Sequence, residues 1–264
     1  MKLLMLAIGF IITVVPGISI PMNNNQPLVP LAETLTAENK PLRKYMEDCI
    51  AQNPALLNTN APGYHGCVLH IAAQSDFNSK IMELCLNSGA KTIVRTPAGY
   101  TPLIIACEYY AVDNVSLLLE RGADPEERDN EDATPLIMVC KPALDTMDLK
   151  KIAARYTIAK LLLKKAKNPN VEDIHKWTPL CYLAATYFQG FSAPSTYPLS
   201  TRTFECLQKQ RKALISLLIS YGANREITLN RIEEKIKNDP SFSFLNEFAD
   251  HIKKPNMVHN CIFS

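Results

Sequence analysis

The chain has 264 residues, 47% of them hydrophobic and 20% charged, with a formal net charge of +2. That is apolar enough to bury a core, and the near balance of charge excludes a protein held to nucleic acid by bulk positive charge. No phosphate-cradling glycine loop, metalloprotease helix or nucleophile elbow occurs in it, so the expectation is a non-enzyme without cofactor or metal.

In chain order, Lys2 is followed by the apolar run LLMLAIGFIITVV and then by Pro16, Gly17 and Ser19. This is the pattern of a secretory signal cleaved after about residue 19. A membrane span needs about 20 apolar residues, and Pro16 cuts this run short. Because no charge stands between Lys2 and Glu33, an uncleaved anchor is the alternative. Residues 20–39 read as a linker. The stretch PLRKYMEDCIAQNPALLN, Pro41 to Asn58, reads as an amphipathic capping helix within 40–62.

A repeat follows. Thr101-Pro102-Leu103 recurs at Thr134-Pro135-Leu136 and Thr178-Pro179-Leu180, with Cys67-Val68-Leu69-His70 in the same slot upstream. A second piece keeps step: LCLNSGAKT from Leu84, LLLERGADP from Leu117, LLLKKAKNP from Leu161 and LLISYGANR from Leu217. A fixed period near 33 residues signals stacked repeats. Thr caps a helix with its hydroxyl, and Pro at the next position has φ preset and no N–H to leave unpaired. Each Thr-Pro-Leu therefore opens a short helix, a second apolar helix follows, and Gly89, Gly122 or Gly222 ends it in the left-handed conformation. The polar stretch ADPEERDNEDA, Ala123 to Ala133, reads as an exposed hairpin-like loop.

Two units carry insertions between their helices, near 141–155 and 187–210. Asp145 to Ala166 reads as one lengthened second helix, with Asp145 near its cap. From Phe204 to Gly222 the second helix is likewise extended upstream, while Gly190 to Thr201 is too rich in Pro, Ser and Gly to be helical. Residues 228–253 read as closing helices with polar outer faces, and 254–264 as a tail. Its last residues, Cys261-Ile262-Phe263-Ser264, fit a prenylation box with Lys253 and Lys254 upstream.

Residues 53–227 resemble ankyrin repeats: about four units, each a hairpin followed by two antiparallel helices. The resemblance implies an all-α ankyrin-repeat solenoid over 63–227. Three departures weaken single units: Cys67-Val68 in place of Thr-Pro, Val139-Cys140 in place of the paired alanines at Ala72-Ala73 and Ala184-Ala185, and Ala166 in place of the terminal glycine. It also implies that His70 bonds to neighbouring loop backbone rather than serving, with Cys67, as half of a zinc site.

In proteins of this kind a partner lies along the concave face, at the residue before each capping Thr and those after each small pair. Carried over, these are Tyr100, Ala133 and Trp177, then Gln74, Ser75, Glu108, Tyr109, Lys141 and Thr186, with Arg95, Arg128 and His175 near the loops. Trp177, Tyr100 and Tyr109 are the aromatic anchor candidates. The acids Asp124, Glu126, Glu127, Asp129, Glu131 and Asp132 stand against Arg128 alone, which favours a partner with a basic patch, although a solvated loop explains the charges equally well. The implied function is a monomeric, non-enzymatic protein-binding scaffold. Cysteines at small core positions such as Cys107 and Cys140 are expected to be free thiols, because helix axes about 8 to 10 Å apart put them beyond disulfide reach. Export together with free thiols suggests delivery into a reducing compartment, as for an effector of a host-associated bacterium. The alternative is a membrane-tethered adaptor, held by the N-terminal segment or a lipid on Cys261.

Overall fold

In the computed structural model, residues 57–58, 66–74, 76–141, 149–166, 168–189, 201–240 and 245–253 are described. The expected signal segment, the linker, most of the N-terminal cap, residues 142–148 and 190–200 of the insertions, and the tail with Cys261 lie outside them. The chain divides into two units, Met1–Asp124 and Pro125–Ser264.

The first unit contains α1 (Val68–Ala73), a 3-10 turn (Asp76–Asn78), α2 (Ser79–Asn87), α3 (Pro102–Glu108) and α4 (Val112–Glu120). First helices α1 and α3 pack on each other, second helices α2 and α4 do the same, and each first helix packs on its own second. Helix α3 opens as its sequence requires, with the Thr101 hydroxyl accepting the Ile104 N–H at 3.3 Å and Pro102 at the first helical position. Its residues Pro102 to Cys107 are all buried, as befits a helix with neighbours on several sides.

Helix α4 has no capping oxygen of its own, since Ala111 precedes it. Asp76 of the previous repeat supplies one, accepting the N–H groups of Asp113 at 3.0 Å and Asn114 at 3.2 Å. Asn114 in turn donates to the Ala72 carbonyl at 3.0 Å. Second helices end at Gly89 (φ 93) and Gly122 (φ 84), with Ala90 N–H closing on the Cys85 carbonyl and Ala123 N–H on that of Leu118. A Cβ at either glycine would meet nothing within 4 Å, so it is the sign of φ, not space, that requires glycine there.

The second unit contains α5 (Pro135–Cys140), α6 (Leu149–Leu163), α7 (Pro179–Gln189), α8 (Thr201–Ser220), α9 (Arg225–Asn238) and α10 (Leu245–Lys253). First helices α5 and α7 pack together, as do second helices α6 and α8. The lengthened second helices are present: α6 has 15 residues and α8 has 20, against 9 in α2 and α4. Helix α6 stops at Leu163, short of the expected Ala166, which closes back on Leu162 with an N–H···O bond of 2.7 Å. The second insertion lengthens both helices of its repeat, because α7 also runs on to Gln189.

Helix α5 is cut off by Lys141, which is extended (φ −57, ψ 148) ahead of Pro142. Its last carbonyls do not go unpaired. Arg155 of α6, 6% exposed, donates to the carbonyls of Val139 at 2.9 Å and of Cys140 and Lys141 at 3.2 Å each. The repeats end at Ala223, before the expected boundary at 227: the Asn224 side chain accepts the N–H groups of Glu226 and Ile227 and starts α9. Helix α10 buries Leu245, Phe248, Ala249 and Ile252, and both closing helices pack on α7. Among the described residues there is no strand, and no helix is long and apolar enough to cross a membrane.

Candidate functional site

Each hairpin is built on the residue five places before the capping Thr. At Asp129, Oδ1 accepts the N–H groups of Glu131 and Ala133, both at 2.8 Å. At Asp173 it accepts those of His175 at 2.9 Å and Trp177 at 3.0 Å. At Thr96 the hydroxyl accepts the Tyr100 N–H at 3.1 Å. Three residues further on, the chain is left-handed each time: Gly99 (φ 81), Asp132 (φ 57) and Lys176 (φ 62). A lysine there carries a steric cost that glycine does not. Lys176→Gly is therefore expected to raise the stability of the second unit by about 1 kcal/mol, read as a higher urea midpoint.

In the first unit, His70 occupies the place its position implied. Its Nδ1 accepts the Cys67 N–H at 3.0 Å, and Nε2 lies 3.0 Å from the carbonyls of both Val94 and Tyr100. Acceptance at Nδ1 leaves the proton on Nε2, so the ring is neutral and pins the next hairpin from below. Burial holds its pKa below the usual 6.5, against the opposing pull of the two carbonyls. A depressed folded-state pKa means that the unfolded chain binds the proton first, so stability falls as pH drops below about 6.5. The urea midpoint at pH 5.5 relative to pH 7.5 should fall in the native chain and fall less in His70→Gln; equal slopes would contradict the assignment.

The site candidates of this unit sit at the hairpin and on the end of α3. Tyr100 is half-buried, whereas Glu108 and Tyr109 are exposed, Tyr109 by 49%. Arg95 donates to the Gly99 carbonyl at 3.0 Å and so serves the turn.

In the second unit, Trp177, Glu131 and Lys141 come together around a residue the sequence did not mark, Tyr182 of α7. The Trp177 and Tyr182 rings are tilted by 58° with centroids 5.2 Å apart. The Tyr182 hydroxyl donates to Asp173 Oδ2, and the Lys141 ammonium lies 5.6 Å above its ring while pairing with Glu131 at 3.2 Å. Burial first, then the bond to Asp173 and the charges of Asp173 and Glu131, push the Tyr182 phenol well above its usual range. The backbone adds a further tie, Ile174 N–H to the Glu131 carbonyl at 3.0 Å.

The acids of the Asp124–Asp132 loop are less free than their number suggests. Asp129 is buried and spent on the turn; among the described residues its Oδ2 has no partner, because Met138 stands where Tyr182 follows Asp173. Glu126 accepts the Asn168 N–H at 2.9 Å, and Asp132 lies 3.9 Å from Arg128. Arg128 also donates to the Glu172 carbonyl, and the Glu172 carboxylate is held by Arg231 at 2.9 Å. His175 is exposed, Trp177 half-buried. Thr186 lies on α7 with its side chain outside the described residues, as Cys261 is altogether.

Five cysteines, Cys67, Cys85, Cys107, Cys140 and Cys181, are free and buried. Burial pushes Cys85 and Cys140 up to about 12 and raises the other three as well, so these are core side chains, not nucleophiles. Among the described residues no cluster of His, Cys, Asp and Glu is placed to hold a metal ion.

Capped helix pairs, glycine-ended second helices and a hairpin pinned by His70 of the repeat before it define an all-α fold of ankyrin repeats. Residues 69–150 match the family model for ankyrin repeats in three copies. Over 159 residues, 60% of this chain, the sequence is 26% identical to an ankyrin repeat protein of Rickettsia bellii (strain RML369-C). The match covers 37% of that protein, so the chain spans well under half of its length.

Proposed function

We propose that the chain is a non-enzymatic scaffold that binds a protein partner through the hairpin tips and first helices of its repeats. The observation that carries this is the Trp177–Tyr182 pair, an aromatic surface fixed in place by Asp173, Lys141 and Glu131 before any partner arrives. Rigid aromatic groups lose little entropy on binding and are the usual anchors of interfaces. Exposed Tyr109 offers a second anchor in the other unit. A basic patch on the partner would face the acids of the Asp124–Asp132 loop, although the bonds already made by Asp129, Glu131 and Asp132 reduce that pull.

Placing a photoreactive phenylalanine derivative at Tyr109 or Ile174 tests the proposal. Both positions should crosslink the same protein from native cells, and the exposed second-helix position Glu120 should not. Crosslinking from Glu120 as efficiently, or none from the two test positions, overturns it.

Within this reading the chain acts as an exported effector in a reducing compartment. The buried, free thiols support that reading, since such cysteines tolerate a reducing cytosol. An intact mass lacking about nineteen residues is the expected result. A full-length chain in the membrane fraction, or a prenyl mass on Cys261, favours the membrane-tethered adaptor instead.

A further inference from the structure

The geometry points to the tip of the last hairpin, Ile174 to Trp177, as a docking site for an acidic segment of the partner protein; this rests on the scaffold reading above and deepens it. What a surface can recognise is set by the polar groups that its own fold leaves over. Four carboxylates surround the tip, and each is matched within the unit. Asp173 takes two backbone N–H groups and the Tyr182 hydroxyl. Glu131 pairs with Lys141, Asp132 lies against Arg128, and Glu172 is gripped by two nitrogens of Arg231.

The donors are not matched. Lys176 and His175 are exposed, and neither side chain has a partner among the described residues. The Trp177 indole N–H likewise donates to no described group, although its ring is fixed against Tyr182. An ammonium, an imidazole and an indole N–H within one four-residue turn call for acceptors, which carboxylates and peptide carbonyls supply. Ile174, 51% exposed, adds an apolar contact beside them.

Lys176 stands at the left-handed position of the turn. It holds a left-handed φ of 62°, where the hairpin of the first unit has Gly99. The strain is not repaid by any bond that its side chain makes among the described residues. The backbone is held in this conformation by the Lys176 N–H bond to the Asp173 carbonyl at 2.9 Å, as Asp132 is held at the same place one repeat earlier, so the turn fixes where the side chain stands without using its charge. The occupant is thus a peptide segment that sets Asp or Glu side chains against Lys176 and His175 and an aliphatic residue against Ile174.

Trp177 is the only tryptophan of the chain, so indole emission of the full-length protein reads this site directly. The probes are two blocked five-residue peptides, one with a leucine flanked by glutamates on both sides and one with lysines in their place. The glutamate peptide should shift the emission and bind at least about tenfold tighter than the lysine peptide, with the gap narrowing at high salt. Lys176→Glu should weaken the glutamate peptide by about tenfold or more, and the glycine variant at that position, free of strain, should weaken it as well.

Equal or tighter binding of the lysine peptide, glutamate-peptide binding without an emission change, or indifference to Lys176→Glu would each overturn the inference. So would polyuridylate RNA or phosphatidylserine vesicles that compete as well as the peptide, because bulk charge would then decide. If the peptides fail while the Ile174 crosslink persists, only the acidic preference falls. If the crosslinks vanish, the scaffold reading falls with it.

Discussion

Asp173→Ala is expected to destabilise the second unit by about 3 kcal/mol, because one substitution strands several donors at once. The carboxylate is 2% exposed and satisfies the N–H groups of His175 and Trp177 together with the Tyr182 hydroxyl. Alanine leaves these donors facing a low-dielectric interior or admits water to them, and the left-handed turn at Lys176 loses the bonds that hold it. The urea midpoint should fall, and Trp177 emission should move to the red in the still-folded protein as the ring loosens from Tyr182. Tyr182→Phe is the control: it removes one donor from the set and should cost about 1 kcal/mol while leaving the turn intact. A midpoint unchanged in Asp173→Ala would mean that the hairpin is held by its backbone alone.

Replacing Arg155 should cost a similar amount for a different reason. Its guanidinium spans three successive carbonyls at the end of α5, where the irregular Lys141 prevents the usual turn. Arg155→Met keeps the aliphatic packing but leaves carbonyl groups without donors, at about 3 kcal/mol in total. Arg155→Lys keeps the charge but not the fork that reaches three acceptors, so it should fall between the two. Loss of protection of the α5 amides in hydrogen exchange, ahead of those in α9, would locate the effect. A methionine variant as stable as the native chain would show that the buried cation costs as much as its bonds return.

Much of the site was half visible in the sequence. Trp177 could be placed by its offset from a capping Thr, with His175 beside it near the loop, and both lie in the hairpin built on Asp173, while Glu131 was marked only by the acid count of its own loop. Tyr182 and Asp173 could not be singled out, although a signal existed: an Asp five residues before the Thr at both Asp129 and Asp173. The acid count of the Asp124–Asp132 loop misled for a related reason. A linear string shows charge but not burial, and Asp129 is a buried turn residue while its neighbours stand in water.

The sequence by itself determined the period, the helix starts at Thr101, Thr134 and Thr178, and the helix ends at Gly89, Gly122 and Gly222, while the resemblance to ankyrin repeats implied the bonding role of His70. All but the last depend on contacts or dihedrals within a few residues, so the local string is sufficient to specify them. Only the tertiary structure decided that Asp76 caps a helix in the next repeat, that Arg155 reaches back to the end of α5, and that Tyr182 closes onto Asp173. Those pairings depend on which side chains helix packing brings together away from water, where an unmatched polar group is costly and a matched one fixes the position of everything around it.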